Sequence, residues 1–168
     1  MQGVWRPKGP LRASLCASEE ALRLSPRSLA GYSAVVSENL DLVRSIVGAW
    51  ERGDFGSAEW AHADIEYAMI GGVDEGSWRG RTAMAQAWGG WLSVWNELHV
   101  EAEDFRELDP ERVFVLARTV GRGRTSGVDI AQTHGKGAVL FCVKYGEVTK
   151  LTQWWDRERA LADLGLKG

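Results

Sequence analysis

The chain has 168 residues, of which 45% are hydrophobic and 26% charged, so we expect one globular domain with a real core. Its formal net charge of -3 at pH 7 has the wrong sign for a phosphate backbone or an anionic membrane surface. Nucleic acid and membranes are therefore not expected partners. The sequence has neither an apolar run of the roughly 20 residues that span a bilayer nor an apolar N-terminal signal, which predicts a cytoplasmic protein.

Tryptophan is the unusual residue of the composition, with nine in the chain. Indole rings are large and rigid, and they suit the walls of a cavity for an apolar ligand. The two cysteines, Cys16 and Cys142, predict neither a disulfide framework nor a metal site, and Cys142 fits a small core residue.

Residues 1–33 carry five arginine or lysine side chains against two glutamates and show no sustained periodicity. We interpret them as a disordered basic tail. A transit peptide and a translated stretch without a role are the alternatives.

The first predicted helix begins at Ser37, a good N-cap, and ends at Gly53. Its apolar residues recur at helical spacing and are Leu40, Val43, Ile46, Val47 and Trp50. A second, short helix is predicted after Asp54. A third helix follows a glycine-rich loop, with one nearly aromatic face made by Met84, Trp88, Trp91, Leu92 and Trp95.

The remaining segments alternate with a period of two, which indicates strands. The predicted strands are 64–70, 99–108, 112–120, 128–133, 138–145 and 148–155, and Asp156 then caps a terminal helix that ends at Gly165. Grouped helices followed by antiparallel strands predict an α+β fold, in which a curved sheet wraps around the N-terminal helices.

A set of short motifs resembles the SnoaL-like branch of the nuclear transport factor 2-like superfamily. They are Gly53-Asp54, Trp78-Arg79-Gly80-Arg81, Trp91, Trp95, the glycine-rich run 121–128, Gly146 and Trp155-Asp156-Arg157. The resemblance implies a cone-shaped α+β domain over residues 34–168, with an antiparallel or mixed sheet, a short C-terminal helix and an internal pocket. The superfamily includes ketosteroid isomerases, epoxide hydrolases, dehydratases, polyketide cyclases and members without known activity, so the reaction stays open.

The catalytic residues of the superfamily's isomerases are not matched. Their tyrosine, aspartate base and second acid correspond to Ile46, Tyr67 and about Val139 of this chain. Shifting a proton beside a carbonyl needs a base and an oxyanion donor, which these three residues do not supply together.

The epoxide hydrolase set is matched only at Tyr67 and, in part, at Arg118. Met69 replaces the asparagine of that set, Val120 replaces one aspartate, and Gln153 replaces the aspartate before the final aromatic pair. Because a glutamine cannot accept the proton of an attacking water, this reaction is not expected.

We expect a ligand-binding pocket lined by eight residues, namely Tyr67, Gln153, Gln132, Arg118, Trp50, Trp91, Trp95 and Trp155. Strand alternation lets either Gln132 or Asp129 face inward, and Gln132 is preferred. For Tyr67 and Arg118 the alternatives are a water-exposed hydroxyl and a surface ion pair. No catalytic residue is assigned.

The sequence therefore predicts a SnoaL-like protein that binds a small apolar or polycyclic ligand. Cofactor-free isomerisation, cyclisation or dehydration by acid/base chemistry fits the fold, but whether the protein is an enzyme stays open. No cofactor or metal is expected, because no nucleotide motif or metal-ligand spacing is present. A homodimer is expected, since such sheets often leave a wide apolar face. The alternative function is a non-catalytic dimerisation or protein-interaction module.

Overall fold

The computed structural model describes residues 28–130 and 135–168, with side chains from Glu38 onward in the first range. The elements in chain order are α1 (Ser28–Glu51), β1 (Ala61–Ile70), β2 (Gly76–Arg79), α2 (Arg81–Leu92), β3 (Trp95–Asp109), β4 (Arg112–Gly123), β5 (Lys136–Lys144), β6 (Glu147–Trp154) and α3 (Arg157–Leu164).

The strands form one open sheet in the order β2-β1-β6-β5-β4-β3. All neighbours are antiparallel except β1 and β6, which run parallel. Bulges interrupt the pairing of β3 with β4, and bulges of this kind increase the bend and twist of a sheet. The predicted α+β architecture with a curved, mixed sheet is confirmed.

The inner face of the sheet packs on α1 and α2. In α1 the residues at helical spacing, including Val43, Ile46, Val47 and Trp50, are buried, as their periodicity predicts. They meet the inward residues of the strands, such as Phe141, in one apolar cluster. The hydrophobic effect across this layer holds the sheet against the helices.

The outer face of the sheet carries a second apolar cluster, which includes Phe114 and Leu140 and is partly covered by α3. The Asp156 side chain accepts hydrogen bonds from the backbone N–H groups of the first turn of α3, and Gly165 ends this helix in a left-handed conformation. The buried indole N–H of Trp154 donates to Asp163 at 3.0 Å. The predicted cap, helix and stop are all confirmed.

Cys142 is buried in this outer cluster and is disulfide-bonded. Its burial confirms the predicted core position, whereas the disulfide is not predicted from the sequence.

The N-terminal boundary differs from the prediction, since α1 begins at Ser28 instead of Ser37. Residues 28–33 thus belong to a helix, and the rest of the predicted basic tail, residues 1–27, lies outside the described part of the chain.

No helix forms after Asp54. Its carboxylate instead accepts the N–H of Gly56 at 3.0 Å, and this local turn competes with a helical start. The predicted third helix also ends earlier, at Leu92, because Trp95 pairs with Gly123 as the first residue of β3. Short strand β2 was not predicted.

The predicted strand 128–133 is not seen in its described part. Gly123 donates its N–H to Val128 and accepts the N–H of Gly127, so the chain turns back on itself here. A single bridge joins Arg122 to Asp129, and residues 131–134 lie outside the described chain.

The large apolar side chains that are exposed on the described surface come from four different connections and are Val73, Val94, Val128 and Tyr145. The predicted homodimer is not tested by this single chain and stays a prediction. Within the same described residues, none of the helices is both long and apolar enough to cross a membrane.

Candidate functional site

A cavity of about 40 Å³ lies between the inner face of the sheet and the helices. Its lining residues are Trp50, Phe55, Met69, Trp88, Trp91, Val100, Ala117, Thr119, Gly137, Ala138, Val139, Gln153, Trp154 and Trp155. None of these fourteen described residues is ionisable. The space is therefore an apolar chamber with a few neutral polar groups.

The cavity is small by the standard of ligand sites. At about 10–15 Å³ for each water, it holds about three water molecules. A polycyclic ligand does not fit unless lining side chains move. Phe55, Trp91 and Trp155 are the partly exposed aromatic residues of the lining and mark its opening to the surface.

Two aromatic groups form the walls. The inner group centres on Trp50, whose ring lies 5.2 Å from Trp88 and 6.3 Å from Phe55, between centroids. At the opening, Trp91 and Trp155 meet edge to face at 5.5 Å. Edge-to-face and offset contacts at these distances stabilise aromatic pairs, so the walls are well packed.

Gln153 is the polar side chain at the centre of the sheet wall. On β6 it lies between Met69 of β1 and Val139 of β5, and all three line the cavity. The Tyr67 hydroxyl donates a hydrogen bond of 2.5 Å to Gln153 Oε1. The amide nitrogen Nε2 makes no hydrogen bond to any described residue. Among the described residues, the Gln153 carbonyl oxygen Oε1 thus has a hydrogen-bond donor, whereas the two N–H bonds of Nε2 have no acceptor.

Tyr67 lies behind this wall with only 1% of its surface exposed, and its ring stacks on Trp78 at 5.2 Å. Burial is the main cause that raises the pKa of Tyr67 above its ordinary value, and the charge of Asp74 raises it further. The indole N–H of Trp88 lies near the hydroxyl and opposes this shift, although it does not reach ordinary hydrogen-bond geometry. Tyr67 is therefore a neutral hydrogen-bond donor, unsuited to act as a base.

The raised pKa of Tyr67 predicts a loss of stability in alkali. In the unfolded chain the phenol ionises near pH 10.0, whereas the folded protein retains its proton. This contribution is complete below the unfolded pKa and declines as the pH rises above it. Between pH 10 and the folded pKa, we expect wild type to lose about 1.4 kcal/mol more per pH unit than Tyr67→Phe. Urea unfolding at several alkaline pH values measures the difference.

Tyr145 offers a matched control, because its ring is fully exposed in the turn between β5 and β6. We expect Tyr145→Phe to leave the wild-type pH slope unchanged. Identical slopes for wild type and Tyr67→Phe would contradict the buried, neutral state of Tyr67.

The structure brings four of the eight predicted site residues to the cavity surface, namely Trp50, Trp91, Trp155 and Gln153. Tyr67 does not line the cavity, but its hydroxyl is hydrogen-bonded to Gln153, which does. Gln132 lies outside the described residues.

Arg118 and Trp95 lie elsewhere. Ala117 and Thr119 line the cavity, so strand alternation directs Arg118 to the opposite face. There its guanidinium, 46% exposed, pairs with Glu101 at 2.5 Å and holds the pKa of that carboxyl below its usual range. Trp95 packs beside Trp91 at 6.4 Å but does not line the cavity.

Several lining residues were not assigned to the pocket from the sequence. Trp88 is predicted only as part of the aromatic face of the third helix, and Phe55 follows Asp54, where the predicted short helix does not form. Thr119 lies two residues after Ala117 in a strand, so strand alternation alone places both side chains on the same face of the sheet. No sequence pattern places Gly137 in the lining, because its position there depends on how closely β5 approaches the end of β6.

Fold and site together define an α+β protein with a small aromatic cavity. No protein-family model and no curated protein matches the sequence. Solved structures do. An NTF2-like protein of unknown function from Burkholderia pseudomallei is similar at a TM-score of 0.61 with 17% identity, over 74% of this chain and 95% of that one.

Two further structures are similar at comparable levels. A protein with a ketosteroid isomerase-like fold from Catenulispora acidiphila, in complex with trimethylamine, has a TM-score of 0.56 and 17% identity over 76% of this chain and 94% of its own. A candidate polyketide cyclase from Sinorhizobium meliloti has a TM-score of 0.51 and 19% identity over 67% and 93%. The chain has the nuclear transport factor 2-like fold, and the resemblance stated from the sequence is confirmed at that level.

Proposed function

We propose that this protein binds a small, neutral and largely apolar molecule in the cavity beneath Trp50 and Gln153. The observation that carries the proposal is a cavity of about 40 Å³ whose lining is aromatic and aliphatic apart from a few neutral polar groups. Small-molecule sites have this composition, with few polar groups that fix orientation.

A charged ligand is disfavoured by the described lining. Transferring an ion from water into an apolar space is costly unless a partner charge is present, and none of the described lining residues offers one. The proposal therefore favours a neutral molecule of a few heavy atoms, or the neutral end of a longer one that leaves through the opening at Trp91 and Trp155.

Binding without turnover fits the described residues best. Acid/base catalysis needs a group that gains or loses a proton near neutral pH. The described lining has no such side chain, and burial keeps Tyr67 protonated. The function we propose is that of a binding protein of the SnoaL-like type.

Oligomeric state and location remain predictions. A homodimer is tested by sedimentation at tens of micromolar, where a monomer would contradict it. Disulfides persist mainly in oxidising compartments, so the redox state of Cys142 in cells bears on the location. Thiol trapping in intact cells tests the cytoplasmic location, because a protein in the reducing cytoplasm would keep Cys142 as a free thiol.

A screen of small neutral compounds by tryptophan fluorescence tests the proposed function. Several indoles line the cavity, so a ligand there changes their emission. The control is Ala117→Val, which adds two methyl groups to a lining position on β4 and leaves the strand propensity high. We expect ligands that bind wild type to lose at least about tenfold in affinity, since the added volume occupies the cavity. Equal affinity for wild type and a folded Ala117→Val would contradict the site.

A further inference from the structure

We infer that the cavity selects ligands with a neutral hydrogen-bond acceptor, such as a carbonyl oxygen, which pairs with the Gln153 amide that Tyr67 holds in one orientation. This inference rests on the proposed function and names the ligand class of the same site. It assigns Gln153 as the contact with the ligand and Tyr67 as a positioning residue.

The orientation of the amide follows from the Tyr67 hydroxyl. An indole N–H only donates, so the Trp88 indole, which lies near the Tyr67 oxygen without a hydrogen bond to it, offers no acceptor for the phenol hydrogen. The phenol hydrogen is then left for Gln153, and the hydroxyl donates to Oε1 at 2.5 Å. The amide carbonyl is thereby occupied, and both N–H bonds of Nε2 remain.

The surroundings of Gln153 leave those donors to the cavity. Its neighbours across the sheet, Met69 and Val139, are apolar, and no described residue accepts from Nε2. Nε2 is not among the described polar atoms that are buried without a partner, so water can reach it, and displacing that water without supplying an acceptor costs free energy. A ligand that brings an acceptor regains it, whereas a hydrocarbon of equal shape does not.

The orientation of the Gln153 amide also disfavours a cationic ligand in the cavity. The aromatic walls attract a small ammonium ion, since the faces of Trp50, Trp88 and Trp91 carry negative charge density. The hydrogens of the Gln153 amide carry positive charge and repel it, and no carboxylate is among the described lining residues. We therefore expect the carbonyl compound to bind more tightly than an ammonium ion.

Three probes of similar size separate these cases: cyclobutanone, methylenecyclobutane and the trimethylammonium ion. The first two differ only in the exchange of an oxygen for a methylene group. Affinities are measured by nuclear magnetic resonance, following the Gln side-chain amide and Trp indole signals. In wild type we expect cyclobutanone to bind about tenfold more tightly than methylenecyclobutane, which is the usual cost of one unpaired buried donor.

Two variants test whether Gln153 and Tyr67 cause the preference for cyclobutanone over methylenecyclobutane. Gln153→Leu should abolish it while retaining affinity for methylenecyclobutane, which also shows that the cavity is still formed. Tyr67→Phe removes the hydroxyl that holds Oε1, so the preference should fall by at least about threefold and the Gln153 amide signals should broaden or move. An unchanged preference in either variant would overturn the assignment.

The outcomes distinguish this inference from the proposed function. Equal binding of cyclobutanone and methylenecyclobutane to wild type would overturn the acceptor class and leave the pocket intact. Tighter binding of trimethylammonium would overturn both the acceptor class and the neutral ligand of the proposed function, in favour of an aromatic cation site. Failure of all three probes to bind would contradict the proposed function itself.

Discussion

Trp50→Ala is expected to lower the free energy of unfolding by about 3–5 kcal/mol, the range for removing a fully buried tryptophan. Trp50 is 2% exposed and its ring contacts those of Phe55, Trp60, Trp88 and Phe141. It thus joins α1, the connection before β1, α2 and β5. Its loss removes this packing and enlarges the cavity. Urea unfolding followed by circular dichroism measures the effect.

Trp60→Ala is the matched control, because Trp60 is a half-buried member of the same aromatic group. Its truncation should cost clearly less than that of Trp50, in proportion to the smaller area that it buries. Similar losses for the two variants would mean that the aromatic group is less centred on Trp50 than the structure indicates.

Gly137→Ala should destabilise the protein by about 1–3 kcal/mol, as overpacking of a closed interior typically does. A Cβ at this position would overlap the carbonyl oxygen of Trp154 and approach the Cα of Trp155. These are backbone atoms, so β5 and the end of β6 must separate before the methyl group fits. Because Gly137 also lines the cavity, the variant should bind ligands less tightly.

Gly89→Ala makes the same chemical change with the opposite expected sign. Gly89 lies in α2, and a Cβ there meets no atom within 4 Å. Replacing an exposed glycine inside a helix by alanine typically stabilises by about 0.5–1 kcal/mol. A stabilising Gly137→Ala, or a destabilising Gly89→Ala, would contradict the packing described for these positions.

Most of the fold was predictable because the strong signals are local. The periodicity of α1, the alternation of β1 and β3 to β6, and the cap and stop of α3 are properties of neighbouring residues. The errors lie where long-range pairing competes with local preference. Trp95, predicted on the same helical face as Trp91, instead lies in β3 and pairs with Gly123. Asp54, predicted to cap a helix, instead closes a local turn with Gly56.

The candidate site was less predictable, because it depends on which elements meet. Tyr67 and Gln153 are far apart in the sequence, and their hydrogen bond follows from the parallel pairing of β1 with β6. Arg118 was misplaced because a family motif was followed at a position where strand parity directs the side chain to the outer face. The size of the cavity depends on the packing of every lining side chain, which no local pattern specifies.

The proposed ligand site requires an apolar space between the sheet and the helices at Trp50, Met69 and Gln153. A crystal structure determined under xenon pressure tests it most directly, since xenon enters apolar cavities and scatters strongly. We expect a xenon peak among the lining residues of the cavity, and we expect Ala117→Val to lose it. Side chains closed over this volume, without a peak in the wild-type protein, would contradict it.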